Sequence, residues 1–149
     1  MWTDATVKTL QYLYHVTSYC HLRNIAKRGL LPRKSDELNE SARRWLYFTV
    51  AEGLAYWFNT VALFGVNPVV LRVAKTNVPA YVNDERGCFT ATVIDEYGTR
   101  DAEAEAFQTR CGVHQRLIQV WTGREWVSVR EWQKVEVGSH SRLLPPEAI

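Results

Sequence analysis

The chain of 149 residues is 46% apolar, carries six Trp and has a formal net charge of only +2. Such a content excludes a disordered chain, and so even a balance excludes a bulk attraction to nucleic acid or to a membrane surface. A single domain of this length, spanning 1–149, buries about two-thirds of its unfolded surface.

Three cysteines (Cys20, Cys88 and Cys111) offer no disulfide framework, and no leader, membrane-spanning run or repeat is visible. A soluble, intracellular, cytoplasmic monomer with no membrane partner is therefore expected. The charge is unevenly placed. From Arg23 to Arg44 seven basic residues face three acidic ones, a net +4, and from Asn83 to Glu105 seven acidic residues face two basic ones, a net −5. A basic stretch of this kind attracts phosphate if it lies beside a ligand site.

Residues 1–9 form a lead-in. Leu10 to Val16, rich in Leu, Tyr and Val, predicts a short strand that ends in the polar edge His15-Val16-Thr17-Ser18. Ser18 or Thr17 can cap the helix that follows, because a hydroxyl accepts a free N–H of the first turn. Leu22, Ile25 and Ala26 fall on one face of that helix, Gly29 stops it, and Pro32 prevents its continuation. Residues 33–43 are polar without a clear period, a loop or a short helix. Arg44 to Thr49 (Arg-Trp-Leu-Tyr-Phe-Thr) is an apolar strand, and Thr49-Val50-Ala51-Glu52 has the form of a capping box. The helix it opens runs to about Leu63, and Gly65 ends it.

Pro68 to Ala74 is a nearly continuous apolar strand, expected to be central, and Val78 to Val82 is a further short one. Residues 83–87 carry turn chemistry. The pattern from Cys88 to Ala104 is weak and predicts a long loop with some helix. Glu105 to Thr109 opens a strand. Leu117 to Trp121 and Trp126 to Glu131 form a hairpin across Thr122-Gly123-Arg124-Glu125, a last strand covers Lys134 to Val137, and the tail from Gly138 is loose. Helices near the front and strands at the back make the class α+β.

Two strand-to-helix units stand out, one ending His15-Val16-Thr17-Ser18 and the other Tyr47-Phe48-Thr49. Each sets a polar or aromatic side chain beside a helix N-terminus, which favours anionic groups. A later acid, Glu105, stands in Ala104-Glu105-Ala106-Phe107; Glu103 lies two residues earlier, on the same side of an extended segment. Glu105 is preferred because Phe107, at the same-face position after it, begins the strand. His15 and Tyr47 are 32 residues apart, and Tyr47 and Glu105 are 58 apart.

This His, Tyr, Glu order resembles the triad of the ADP-ribosyltransferase superfamily, in its diphtheria-toxin and poly(ADP-ribose) polymerase branch. The run from Tyr14 to Pro32, and more weakly Ala104-Glu105, is also similar to DNA-modifying members; the resemblance spans about residues 12–121. It implies a split, mostly antiparallel sheet flanked by helices, with NAD as the substrate and no metal. It further implies transfer of ADP-ribose to a macromolecular acceptor, nucleic acid somewhat ahead of protein, with release of nicotinamide. Glu105 would hold a ribose hydroxyl and stabilise the cationic ribose carbon, as in glycoside cleavage. His15 would bond the adenosine ribose, and the main chain of Val16 the carboxamide, where polymerase-like members have Gly. Tyr47, with Phe48 and Thr49 beside it, would line the nicotinamide pocket, and Tyr56 would supply a stacking face. Thr17 and Ser18 would help place the pyrophosphate or ribose. Toxins, with an antitoxin or inhibitor as a further partner, phage proteins and host-directed effectors use domains of this size.

Three other readings compete. Cys111-x-x-His114 with Cys20-His21 offers four zinc ligands, although adjacent residues rarely ligate one ion. The same superfamily fold serves NAD-dependent RNA 2′-phosphotransferases, which rely on an Arg/His set where this chain offers an acid. A non-catalytic module that binds ADP-ribose or nucleic acid is the third.

Overall fold

In the computed structural model the described residues are 11–34, 44–63, 67–78, 81–82, 88–95, 98–105, 107–109, 111–134 and 144–148. The fold is α+β, with antiparallel pairing throughout the described sheets.

The first strand, β1 (Tyr12–Ser18), begins and ends two residues later than its apolar run predicts, because it pairs along its whole length with the central strand. A short 3-10 turn (Tyr19–His21) leads into α1 (Leu22–Arg28), which Gly29 ends at φ 78°, its N–H donating to the Ile25 carbonyl at 2.7 Å. Leu22 and Ile25 are buried as the helical spacing predicts. Ser18 does not cap: its hydroxyl lies 3.1 Å from the Cys20 sulfur, and His21 occupies the N-cap position of α1.

Residues 33–43 begin as β2 (Arg33–Lys34) rather than as loop or helix, pairing with β3 (Arg44–Phe48). Next comes a 3-10 turn (Ala51–Gly53), then α2 (Leu54–Leu63). Gly65 lies outside the described residues. The central strand β4 (Pro68–Ala74) is apolar on both faces because both are covered. β5 (Tyr81–Val82) is followed by the largest departure from the sequence reading. Cys88 to Ala104 is not a loop with helix but two paired strands, β6 (Cys88–Asp95) and β7 (Gly98–Glu105), in register from Cys88↔Glu105 to Asp95↔Gly98. The β-branched run Thr90, Thr92, Val93, Ile94 favours extended backbone, and the acids of β7 hid its strand character. Glu105 therefore closes a strand instead of opening one, and β8 (Phe107–Thr109) begins after it.

The back hairpin forms as expected in β9 (Ile118–Trp121) and β10 (Trp126–Ser128), with Gly123 at φ 99° in its turn. From Val129 to Lys134 the chain coils into a 3-10 helix, so the strand ends earlier than predicted and none starts at Lys134. Residues 135–143, including most of that proposed last strand, lie outside the described residues. The tail is not loose where it is described: Pro146–Ala148 forms a 3-10 turn on the sheet.

The principal sheet has the order β1-β4-β9-β10, and a second has the order β2-β3-β8-β5. One face of the principal sheet (Leu13, Val69, Leu71, Val73, Ile118, Val120) packs with Leu46 and Phe48 of β3 and Leu22 and Ile25 of α1. The other face (Tyr14, Val70, Trp121) packs with Leu54 and Phe58 of α2 and with Leu144 and Ala148. Each fully buried Leu contributes about 2 kcal/mol by leaving water. Among the described residues no helix is long and apolar enough to cross a membrane.

Candidate functional site

The two sheets meet where β3 runs out. The Tyr14 N–H donates to the Thr49 carbonyl at 2.9 Å, and the Thr49 N–H donates to the Tyr14 carbonyl at 2.8 Å. This two-bond bridge fixes the end of β3 against the middle of β1 and so brings the two strand ends noted in the sequence into one place. The half-buried His15 ring stands edge-on to Phe48, with centroids 6.0 Å apart.

Strand geometry has a consequence at Val16. In an antiparallel ladder, the N–H and C=O of residues i and i+2 leave the same edge of the strand. Tyr14 spends both groups on Thr49, away from β4, so Val16 directs its own N–H and C=O to that same edge. In the antiparallel register of that bridge Val16 stands toward Tyr47 of β3, and the described pairing between β1 and the β3 segment is this one bridge. A main-chain donor and acceptor beside His15 are thus turned to the β3 side of β1, away from β4.

Thr49 is nearly fully buried, 3% exposed, and its hydroxyl finds no hydrogen-bond partner among the described residues. The predicted capping box does not form, since Val50 occupies the N-cap position and no side chain caps the turn. The reason is the bridge. It holds Thr49 in extended pairing, and Val50, still extended at φ −97° and ψ 170°, takes the N-cap position, so Thr49 stands one position too early to cap. Gly53 is required here, because a Cβ at that position would collide with the Thr49 hydroxyl. Burying a hydroxyl without a partner costs about 1–3 kcal/mol.

Glu105 reaches the same region by its backbone. Phe48 pairs with Phe107 and Tyr47 with Gln108, so Glu105 stands two residues before the partner of Phe48, and β7 touches the Ala51–Gly53 turn. Glu103 pairs with Thr90, two residues further back. The side chains of Tyr47, Glu103 and Glu105 lie outside the described residues. Thr17 is half-buried on the His15 side of β1. Ser18 is buried against Cys20, and Tyr56 is half-buried on α2, edge-on to Trp57 at 4.9 Å.

Among the described residues no group of three or more His, Cys, Asp or Glu is arranged to hold a metal ion. His114 uses Nδ1 to accept the Arg116 N–H at 3.2 Å, capping the 3-10 turn Gln115–Leu117.

A second polar cluster lies on the opposite face of the principal sheet. Arg72, the polar residue of β4, is sandwiched between Tyr12 and Trp126, with ring centroids 4.1 and 4.3 Å from its guanidinium carbon. Its Nε donates to Gln119 at 2.7 Å, and Nη1 pairs with Glu147 at 3.2 Å. The Tyr14 hydroxyl donates to the same Glu147 oxygen at 3.0 Å, and the Trp126 indole donates to the other at 3.3 Å. Burial, with the Glu147 carboxylate beside it, holds the Tyr14 phenol well above its ordinary pKa. The turn carrying Glu147 also packs on Ala51–Gly53, so this cluster braces the back of the candidate site. The one local signal for it was a lone Arg in an apolar strand.

Comparison with protein-family models, with curated proteins and with solved structures finds no match for this chain.

Proposed function

We propose that the protein is an NAD-dependent mono-ADP-ribosyltransferase of the His-Tyr-Glu kind, with an ADP-ribosyltransferase-like arrangement of its split sheet. The observation that carries the reading is the meeting of β1 and β3 at the Tyr14–Thr49 bridge, which brings His15 and the Val16 main chain beside the Tyr47-Phe48-Thr49 end of β3. Nicotinamide carries a planar amide with one acceptor and one N–H₂ donor. The outward N–H and C=O of Val16 match that pair. Glu105, whose backbone enters from β7, would face the ribose carbon as the glycosidic bond breaks and positive charge builds there. His15 would orient the adenosine ribose, and Tyr47 would pack against the nicotinamide ring.

Incubation with labelled NAD and a cell lysate, followed by protease or nuclease treatment of parallel samples, tests the reading. Transfer of label that Glu105→Gln abolishes is the expected result; activity that survives it but is lost in Glu103→Gln would move the acid to Glu103. Thr49→Val removes a buried hydroxyl that has no partner among the described residues, so thermal stability should be unchanged or raised, and a clear loss would show that the hydroxyl is paired. NAD binding with neither transfer nor hydrolysis would leave only a binding module.

A further inference from the structure

α1, the turn Gln115–Leu117 and the 3-10 helix Val129–Lys134 pack against one another, although they come from three separate parts of the chain. Their exposed, described side chains include Arg23, Lys27, Arg28, Arg116 and Arg130 against the single acid Glu131. That net +4 is twice the formal charge of the whole chain. None of the five cations forms an ion pair among the described residues. Tyr19 stands at the margin of this face, 37% exposed and edge-on to Trp132 with centroids 5.9 Å apart. Its backbone N–H donates to the Asn67 carbonyl at 2.7 Å, so the ring is presented from a fixed point.

We propose that this face docks single-stranded nucleic acid, with the five cations on successive phosphates and Tyr19 stacking a base. Unpaired cations next to a presented aromatic ring are what a flexible polyanion with planar bases requires. The solvent side of α1 carries Arg23, Asn24, Lys27 and Arg28 and no apolar residue, so it offers no anchor to a bilayer. An acidic protein would use the cations but would gain little from a stacking ring. Tyr19 follows directly on β1, three residues after Val16, so a strand held here would lead to the candidate site. That last link, which makes the docked strand the acceptor, rests on the transferase reading; the surface itself does not.

The test is fluorescence anisotropy of a labelled mixed-sequence 20-mer, as DNA and as RNA, over a range of KCl concentrations. Five phosphate contacts on a single strand give a slope of log K against log salt of about −3.5. The Arg116→Gln/Arg130→Gln double variant should flatten it to about −2, since two contacts are lost. Tyr19→Ala should weaken binding about tenfold at an unchanged slope, and Tyr19→Phe should restore it. A slope that the double variant leaves unchanged, or a Tyr19→Ala variant that binds as the parent does, overturns the proposal. So does a labelled polyglutamate bound as tightly as the oligonucleotide. Nicotinamide release from NAD is followed on the same samples. Oligonucleotide binding without turnover supports this surface and defeats the transferase reading. Turnover with no oligonucleotide binding overturns this surface alone.

Discussion

Glu147→Gln keeps the shape of the side chain that fastens the C-terminal turn to the sheet and removes its charge. The carboxylate accepts from three donors, the Tyr14 hydroxyl, the Arg72 guanidinium and the Trp126 indole, at 3.0, 3.2 and 3.3 Å. A neutral amide has a single oxygen, and its N–H₂ group must face one of those donors. Hydrogen bonds to a charged group contribute about 1.5–3 kcal/mol, against roughly 1 for a neutral pair. Discounted for partial solvent access, with side chains 15% and 28% exposed across the ion pair, the loss should come to about 2 kcal/mol. For a chain of this size that lowers Tm by about 4–8 °C. Thermal unfolding of Glu147→Gln, Tyr14→Phe and the double variant should show coupling of about 1 kcal/mol between the two positions. The Gly53 amide, bonded to the Val50 carbonyl at 3.0 Å, should exchange faster when the turn loosens. A Tm within about 1 °C of the parent, with additive variants, would mean that Leu144 and Ala148 hold the segment by apolar contact alone and that the carboxylate adds nothing.

The raised Tyr14 pKa predicts a pH dependence. Below about pH 10 the phenol is protonated in both folded and unfolded chains, so its contribution is fully present. Above that the unfolded phenol ionises while the folded one keeps its proton, and stability falls as pH rises. The Tm advantage of the parent over Tyr14→Phe should therefore shrink between pH 8 and pH 11; a constant difference would refute the assignment. Gly29→Ala should be among the costliest small substitutions in the chain. Its φ of 78° strains any L side chain by about 1 kcal/mol, and the new Cβ would strike the Val113 carbonyl, which accepts the Leu30 N–H at 3.0 Å. Because backbone cannot swing aside, a loss of about 3 kcal/mol or more is expected in urea unfolding, and a loss below about 1 would show that Val113 gives way.

Much of the architecture is written in local pattern. The Leu-, Tyr- and Val-rich run around Leu13 and the unbroken apolar run Val69-Val70-Leu71 announce β1 and β4, and Gly29 and Gly123 mark a helix end and a hairpin turn. Pairing and side-chain partners are where local reasoning failed. Val16 is an ordinary strand residue until the Tyr14–Thr49 bridge decides which edge its N–H and C=O face. Thr49 fits a capping box by spacing, yet the same bridge holds it in extended backbone, its hydroxyl without a partner among the described residues.

The residue types, their period and their punctuation were enough to settle β1, β4, the back hairpin and which face of α1 is buried, because those depend on near neighbours, whereas the strands in Cys88–Glu105 and the 3-10 helix Val129–Lys134 escaped them. What only the tertiary structure decided depends on contacts across the chain. Glu147 meets Tyr14 across 133 positions and Arg72 across 75, and Arg116 and Arg130 join α1 on one surface. No local period encodes such meetings, since they follow from how strands order themselves in the sheet.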